Sequence, residues 1–567
     1  MVVIGIENTH DSGATAIIDG KIVYSVNEER LNRVKGFGGF PYKSLEAILK
    51  KIGNVKIDAI ALDGITKLGS PGDFERPDRL RIFREGAAIL GIDKMLTYSN
   101  YRVETLFSIL KIILPNKINI ELNEFNLGAT KVIREDHHTC HAASAFYASG
   151  WDECLVLTMD GSGDGYSSRV FVAENRKLKL VHSIPMVHSL CANYSYATSV
   201  LGFKTNRHEG KLLGLAAYTE TNKECLRIFQ DRISYDKNIM SFKNRGMWGW
   251  PERNRLKELL KNFSREEIAN AVQVNTEDLV IKYVKDMLKK YGKSKIALGG
   301  GLFANVKINQ RISELDEVEE IFIFPNMGDG GNHVGAAYYV YENYFQQKVE
   351  PLKTVYYGNE YSDKDIKFSI IKHRLNYRWF DNPEKKIAEL LHQGKIVARF
   401  NGAMELGPRA LGNRSILYHA RDASVNQWLN DRLERNEFMP FAPVMMEEEA
   451  SRFLVNYGQG NRKAMRYMTM TDNVTDAFRE IAPAATHIDN TARPQVVGKE
   501  DNPSLFKLLS EYKKLSGHGI IINTSFNIHE EPIVCSPDDA IIAFLRAGLD
   551  VLSMGNFIVM KENLNEY

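Results

Sequence analysis

Cysteine is scarce and scattered: Cys140, Cys154, Cys191, Cys225 and Cys535 are odd in number, and no two form a CxxC pair. That excludes a disulfide framework and a thiolate zinc site of the usual spacing, and it points to a reducing compartment. No stretch approaches the ~20 consecutive apolar residues of a spanning helix. The opening MVVIGIEN has no basic segment leading into an apolar one. An excess of either charge is also missing, with 73 Lys and Arg against 71 Asp and Glu, so the chain as a whole carries no basic footprint for nucleic acid. Low-complexity tracts are absent. The expectation is a cytoplasmic protein with neither a nucleic-acid partner nor a membrane.

What is present is core material for more than one domain. At 567 residues, 44% hydrophobic and 25% charged, the chain exceeds the ~250–300 residues at which single cores stop growing. VVIGIEN, ATAIID and KIVYSVNEE read as strands, the last two joined by the hairpin turn Asp19-Gly20. CLVLTMDGSGDG and KIALGGG are further strands that run into glycine-rich loops, separated by helical stretches. The class is α/β with ligand loops at strand ends. An N-terminal strand entering a polar loop, and Leu155–Asp160 entering Gly161–Gly165, are two segments alike in kind. Such duplicated hairpins are found in actin-like, sugar-kinase-like ATPase folds, and two ordinary hairpins are the plainer alternative. The pattern breaks near QQKVEPLKTVYYGNEYSD, which sets domains of 1–350 and 351–567. Glu447–Glu449 reads as solvated surface.

EDHHTCHAASAF concentrates potential ligands. Asp136 is an N-cap candidate and Gly150 a stop, so His137 and His141 lie four apart on one helical face and His138 points away. An i,i+4 histidine pair can chelate one ion. Asp160 in TMDGSGDG and Asp329 in PNMGDGGN, both at probable strand ends, are the carboxylates available to complete the shell. Such a nitrogen-and-oxygen set suits divalent iron, manganese or zinc. The alternative is that the two histidines only pack or cap.

Gly299, Gly300 and Gly301 in KIALGGGLFANV, with Asn305 downstream, end a strand ahead of a helix, as a phosphate or ribose loop does and as a plain turn also does. Lys211 in HEGKLLGLAAY lies in a glycine-flanked loop. The second domain places Arg409, Arg414 and Arg435 in loop or turn contexts, where guanidinium forks match phosphate oxygens. IIINTSFNIHEEP opens a strand into Asn523, Ser525 and Asn527, amides and a hydroxyl suited to a small planar acyl group. Surface arginines and a polar loop are the bland reading.

At THDSGATAII, EERLNRVKGFGGFP, HHTCHAASAF, LTMDGSGDG, GKLLGLAAY, GGGLFANVKIN, PNMGDGG, MELGPRALGNRSIL, EFMPFAPV and NTSFNIHEEPIV, the chain resembles the NodU/CmcH-type O-carbamoyltransferase family. The resemblance covers most of the sequence, with departures at Gly210 and Met439. It implies an N-terminal actin-like ATPase (ASKHA) domain with a duplicated core, similar to the tRNA threonylcarbamoyl-transferring enzymes, and a C-terminal YrdC-like α/β domain that activates carbamoyl phosphate. It also implies that carbamoyl phosphate and ATP give carbamoyl-adenylate, and that the carbamoyl group then passes to a hydroxyl of a small-molecule acceptor, of secondary-metabolite or sugar type, with release of AMP.

On this resemblance Arg409, Arg414 and Arg435 bind carbamoyl phosphate, and Ser525, Asn523 and Asn527 orient the carbamoyl group. The ion, Fe2+ by resemblance, is held by His137, His141, Asp160 and Asp329. Lys211, Gly299–Gly301 and Asn305 serve the nucleotide, with Mg2+ accompanying ATP. His10, beside Asp11, takes the acceptor proton. Thr66–Ile120 and Lys223–Arg255 are candidate walls of an acceptor pocket or a dimer surface, and a homodimer is left open. The competing classes are an ATP-dependent small-molecule kinase and a non-enzymatic nucleotide-dependent binding protein.

Overall fold

The structure, a computed structural model, describes residues 1–64, 118–247, 250–434 and 440–563. The chain divides into two compact units. One comprises Met1–Tyr24 with Gly36–Leu352, and the other comprises Ser25–Lys35 with Lys353–Tyr567.

The first unit holds two five-stranded sheets of mixed α/β construction. β1 (Val2–Glu7), β2 (Gly13–Ile18), β3 (Lys21–Asn27), β4 (Ala59–Asp63) and β5 (Val132–Glu135) lie in the order β3-β2-β1-β4-β5. β6 (Cys154–Gly163), β7 (Tyr166–Glu174), β8 (Lys177–Pro185), β11 (Lys295–Gly299) and β12 (Glu320–Ile323) lie in the order β12-β11-β6-β7-β8, and β9 (Ile233–Asp236) with β10 (Ser241–Asn244) forms a separate hairpin. In each sheet the first strand pairs antiparallel with the second, and the two later strands run parallel to it. The two sheets therefore repeat one topology, the duplication that the paired hairpins in the sequence suggested. β1 is buried along its whole length, as a strand covered on both faces must be, which its unbroken VVIGIE run announces. The Asp19-Gly20 turn takes φ of 48° and 80°, the left-handed pair that a tight hairpin requires.

Eight helices of this unit concern the site: α1 (His137–Ser149), α2 (Leu190–Val200), α3 (Glu209–Leu215), α4 (Lys223–Arg232), α5 (Trp250–Leu260), α6 (Arg265–Tyr291), α7 (Val306–Ser313) and α8 (Asn332–Tyr339). α1 starts where the Asp136 carboxylate accepts the Thr139 amide at 2.9 Å and ends at Gly150 with φ 75°. Every residue of α1 is buried. It packs on α8 through small side chains, and Gly335 lies so close to the Cys140 carbonyl that a methyl group there would collide with it.

The second unit is built on an eight-stranded sheet. Its central strands run β17 (Val551–Met554), β13 (Val397–Phe400), β14 (Arg414–His419), β16 (Ile520–Ser525) and β15 (Ala442–Met446). Helices Pro383–His392 and Pro503–Ser516 pack together, contributing Ile387, Leu391, Leu505 and Leu508 to a core with Val397, Leu417, Val444 and Ile521. Glu449 corrects the reading of Glu447–Glu449 as solvated surface: it is buried, and its Oε2 accepts the Gly519 amide at 2.7 Å. Among the described residues, no helix is long and apolar enough to cross a membrane.

Candidate active site

Strand ends carry the chemistry of the first unit. Glu7 closes β1, Asp63 closes β4, Asp160 lies in β6, and Asp329 follows β12 just ahead of α8. The α1 helix presents His137 and His141 to them. His141 Nε2 stands 3.1 Å from His137 Nε2, 3.0 Å from Asp160 Oδ2 and 3.3 Å from Asp329 Oδ1. His137 Nε2 lies 3.7 Å from Asp160 Oδ2 and 3.5 Å from Asp329 Oδ1. One ligand atom from each of the four residues falls within a 4.8 Å span.

These spacings fit one divalent cation. Ligands about 2.0–2.2 Å from an ion stand roughly 3–3.6 Å from one another in tetrahedral or octahedral shells. The donor chemistry makes the same point. His137 Nδ1 is 3.0 Å from Asp63 Oδ2, so its proton resides there and Nε2 presents a lone pair. A second imidazole nitrogen and two carboxylate oxygens aimed at the same point repel one another unless a positive charge lies among them. The set of two imidazoles and two carboxylates favours a hard or borderline ion.

The surrounding groups prepare this charge pattern. Asn332 Nδ2 donates to Asp63 Oδ2 at 3.2 Å. Burial opposes the charge on Asp63, but the His137 imidazole outweighs it and holds the carboxyl below its ordinary range. Burial and then the Asp63 charge push Glu7 well above its ordinary value. Burial likewise opposes ionisation of Asp329, yet His10 and His137 hold it well down. His138 stands apart from the cluster. Its Nδ1 lies 2.9 Å from Thr158 Oγ1 and its Nε2 3.1 Å from the Tyr166 carbonyl, and burial lowers it to about 3, so it is a neutral packing residue.

His10 sits in the loop between β1 and β2, its Nε2 2.8 Å from Asp329 Oδ2 and its Nδ1 3.2 Å from Asp11 Oδ2. Its side chain is 46% exposed, which leaves an approach from solvent beside a cluster in which His137, His141 and Asp329 are buried and Asp160 is partly so. The Asp329 carboxylate, working against burial, raises His10 well above its ordinary value.

The glycine loop lies against this centre. Gly300 has φ 102°, and a Cβ there would meet the Met159 carbonyl; a Cβ on Gly301 would come within 3.0 Å of Asp160 Oδ1. Gly299–Gly301 is thus brought beside Asp160 and His141 by close backbone approach. Asn305 caps α7, its Oδ1 accepting the Ile308 amide at 3.2 Å, while its Nδ2 donates to Gln273 Oε1 on α6 at 2.8 Å. Lys211 is buried on α3.

In the second unit the two motifs adjoin. Asn523 Nδ2 donates to the Ala410 carbonyl at 3.1 Å, and the Phe526 amide donates to the Arg414 carbonyl at 3.0 Å. Arg414 is engaged with backbone carbonyls of its own unit. It is fully buried over the Phe400 ring. Its NH1 donates to the carbonyls of Asn401 and Asn413 at 2.8 and 3.0 Å, and its NH2 to those of Asn359 and Gly402 at 3.1 Å each. Glu405 completes the brace, one carboxylate oxygen accepting the amides of Leu411, Asn413 and Arg414 at 2.9, 2.7 and 3.0 Å. Asn527 spends its amide on the carbonyls of Ile528 and Glu531 at 2.9 and 3.0 Å. Arg409 and Ser525 are half-buried, and Arg435 lies outside the described residues.

Residues 2–338 match the family described as carbamoyltransferase N-terminus, and residues 388–561 match carbamoyltransferase C-terminus. The chain belongs to the carbamoyltransferase family. An uncharacterised protein of Methanocaldococcus jannaschii is 30% identical to this carbamoyltransferase over 98% of both chains. Nodulation protein NolNO of Sinorhizobium fredii is 28% identical over 97% of this chain and 79% of its own. Nodulation protein U of the same organism is 24% identical over 93% and 94%. Among solved structures, HypF of T. kodakarensis aligns at 13% identity and a TM-score of 0.36 over 59% of this chain and 46% of its own, too loosely to bear on fold or chemistry.

Two partners of this carbamoyltransferase site escaped the sequence reading, Glu7 and Asp63. A signal existed: AIALD and CLVLTMD are both apolar runs that end on an aspartate, the mark of a carboxylate at a strand end. The pairing of Asp63 with His137 needed the end of β4 to be placed at the start of α1, 74 positions further along the chain.

Proposed function

We propose that this carbamoyltransferase is an ATP-dependent O-carbamoyltransferase working in two half-reactions. In the first, water hydrolyses carbamoyl phosphate to carbamate and phosphate, and a carbamate oxygen then displaces pyrophosphate from the α-phosphorus of ATP, accompanied by Mg2+, to give carbamoyl-adenylate. In the second, an acceptor hydroxyl takes the carbamoyl group and AMP leaves. Coupling to AMP gives carbamate a phosphate leaving group in place of a basic oxygen. We assign the first half-reaction to a YrdC-like second unit, with Arg409 and Arg435 for the phosphates and Ser525 and Asn523 for the carbamoyl group. The backbone brace formed by Arg414 shapes the loop that carries Arg409. The second half-reaction belongs to an actin-like first unit.

The observation that carries this reading is the convergence of His137, His141, Asp160 and Asp329 on one point at strand ends, next to the glycine loop, in a chain of this family. Those four residues would hold a divalent cation, Fe2+ by resemblance, which when bound supplies positive charge to the adenylate phosphate. Asp63 fixes the His137 tautomer. Gly299–Gly301 and Lys211 receive the nucleotide, the Gly300 amide being spent on the Met327 carbonyl at 2.6 Å, so that close backbone approach at the loop and the Lys211 ammonium serve the anionic oxygens. His10, reachable from solvent and bonded to Asp329, accepts the proton of the incoming hydroxyl at Nε2 once the Asp329 charge is engaged elsewhere. The deciding experiment is pyrophosphate release from ATP with and without carbamoyl phosphate, followed by a search for a carbamoyl mass gain among candidate alcohols. ADP as the product, or pyrophosphate release indifferent to carbamoyl phosphate, overturns it.

A further inference from the structure

Glu7 ends β1 with a carboxyl that is fully buried. Unless hydrogen bonds offset it, burial of such a group destabilises the fold relative to an apolar side chain in the same place. The donors that reach it among the described residues come from one neighbour. Its Oε1 accepts both the amide and the hydroxyl of Thr9, each at 2.5 Å. Its Oε2 is buried and has no donor among the described residues. One carboxyl oxygen is therefore spent wholly on the residue two positions ahead, and that residue immediately precedes His10.

The turn from β1 to β2 runs from Asn8 to Ser12. Its outer edge is fixed by backbone bonds, the Gly39 amide donating to the Thr9 carbonyl and the Ser12 amide to the Phe37 carbonyl, both at 3.0 Å. Asp11 takes φ 56°, in the left-handed region, so the chain reverses sharply just past His10. The inner edge of the turn is where Glu7 grips Thr9. His10 itself meets two acceptors, Asp329 Oδ2 at 2.8 Å and Asp11 Oδ2 at 3.2 Å. With nearly half of its surface in water, the imidazole is held less by packing than by where its backbone stands. A reacting group displaced by about 1 Å can lose about 10²-fold in rate.

We infer that Glu7 is a positioning residue for carbamoyl transfer: through Thr9 it sets the backbone that carries His10, so that His10 Nε2 stands at Asp329 beside the candidate metal ligands. The inference rests on the proposal that His10 takes the acceptor proton. The clamp needs an acceptor oxygen rather than a charge, since an amide oxygen accepts the same two bonds. A different route, from Glu7 through Asp63 to His137, would act on cation affinity instead, so the two are separable by measurement.

The test uses the full chain with water as the acceptor, and follows AMP release as carbamoyl-adenylate and water give AMP and carbamate. First-turnover pyrophosphate release reports the other half-reaction, Zn2+ affinity against a chromophoric chelator reports the ligand cluster, and circular dichroism reports the fold. Glu7→Ala slows AMP release at least tenfold, with pyrophosphate release and Zn2+ affinity changed less than threefold. Glu7→Gln keeps the acceptor oxygen and restores AMP release to within threefold of wild type. Thr9→Val removes the hydroxyl alone, slows AMP release in the same direction, and carries the comparison should Glu7→Ala not fold. In a His10→Asn background Glu7→Ala has no further effect, because the group it places is gone. AMP release at the wild-type rate in Glu7→Ala, a Glu7→Gln variant as slow as Glu7→Ala, a parallel loss of Zn2+ affinity, or full additivity with His10→Asn overturns the inference. His10→Asn by itself checks the parent reading, which fails if that variant releases AMP as wild type does. A slow His10→Asn beside a fast Glu7→Ala removes Glu7 alone.

Discussion

Asp63 Oδ2 stands 3.0 Å from His137 Nδ1 and also accepts the Asn332 amide at 3.2 Å, so the imidazole is held in one tautomer with its other nitrogen turned toward His141. Carboxylates that orient a ligating histidine typically account for ten- to a hundredfold in metal affinity. Asp63→Asn therefore weakens binding of a divalent cation by about that factor in competition with a chromophoric chelator. Unchanged affinity removes Asp63 from the site.

His10→Asn separates the half-reactions. Carbamoyl-phosphate-dependent pyrophosphate release persists within a few-fold of wild type, and carbamoyl transfer falls by about 10²–10⁴, the usual contribution of a general base. Quench-flow measurement of both steps checks this, and equal loss in both refutes the role.

Arg414 acts on stability. Its guanidinium serves four backbone carbonyls in a buried loop, and truncation leaves them without donors at about 1–3 kcal/mol each before water enters. Arg414→Ala lowers unfolding free energy by about 3 kcal/mol or more in urea titration. A variant as stable as wild type yet unable to form adenylate restores Arg414 to the substrate.

Acid weakens the fold through histidines kept neutral by burial. His333, whose Nδ1 is 2.7 Å from Thr15 Oγ1, is held down to about 3, and His518 to about 4. Between these values and the unfolded value near 6.5, the unfolded chain binds more protons. Stability is thus complete above about pH 6.5 and declines as pH falls, by about 1.4 kcal/mol per pH unit for each histidine. Thermal unfolding from pH 7 to 4 shows the decline, and His518→Gln removes its share. A slope unaltered by that substitution contradicts the assignment.

Periodic and capped elements were legible in the sequence. The α1 helix follows from Asp136, the i,i+4 histidines and Gly150, and the strand break ahead of Asp329 from an apolar run meeting glycine, whereas β6 runs past Asp160 to Gly163 with a register shift after Met159. What was not legible is tertiary commitment. Arg414 and Arg409 share one short motif, GPRALGNRS, yet one is spent on carbonyls and the other is half-buried. Only the path of the loop around Glu405 distinguishes them. The Asp63–His137 pair is invisible for the same reason, since two side chains 74 positions apart meet only when β4 and α1 are both in place.

The most direct assay follows pyrophosphate release by the purified protein with ATP, Mg2+ and Fe2+, with and without carbamoyl phosphate. An enzyme that works through carbamoyl-adenylate gives pyrophosphate only when carbamoyl phosphate is present. ADP formation, or pyrophosphate release at the same rate without carbamoyl phosphate, contradicts it.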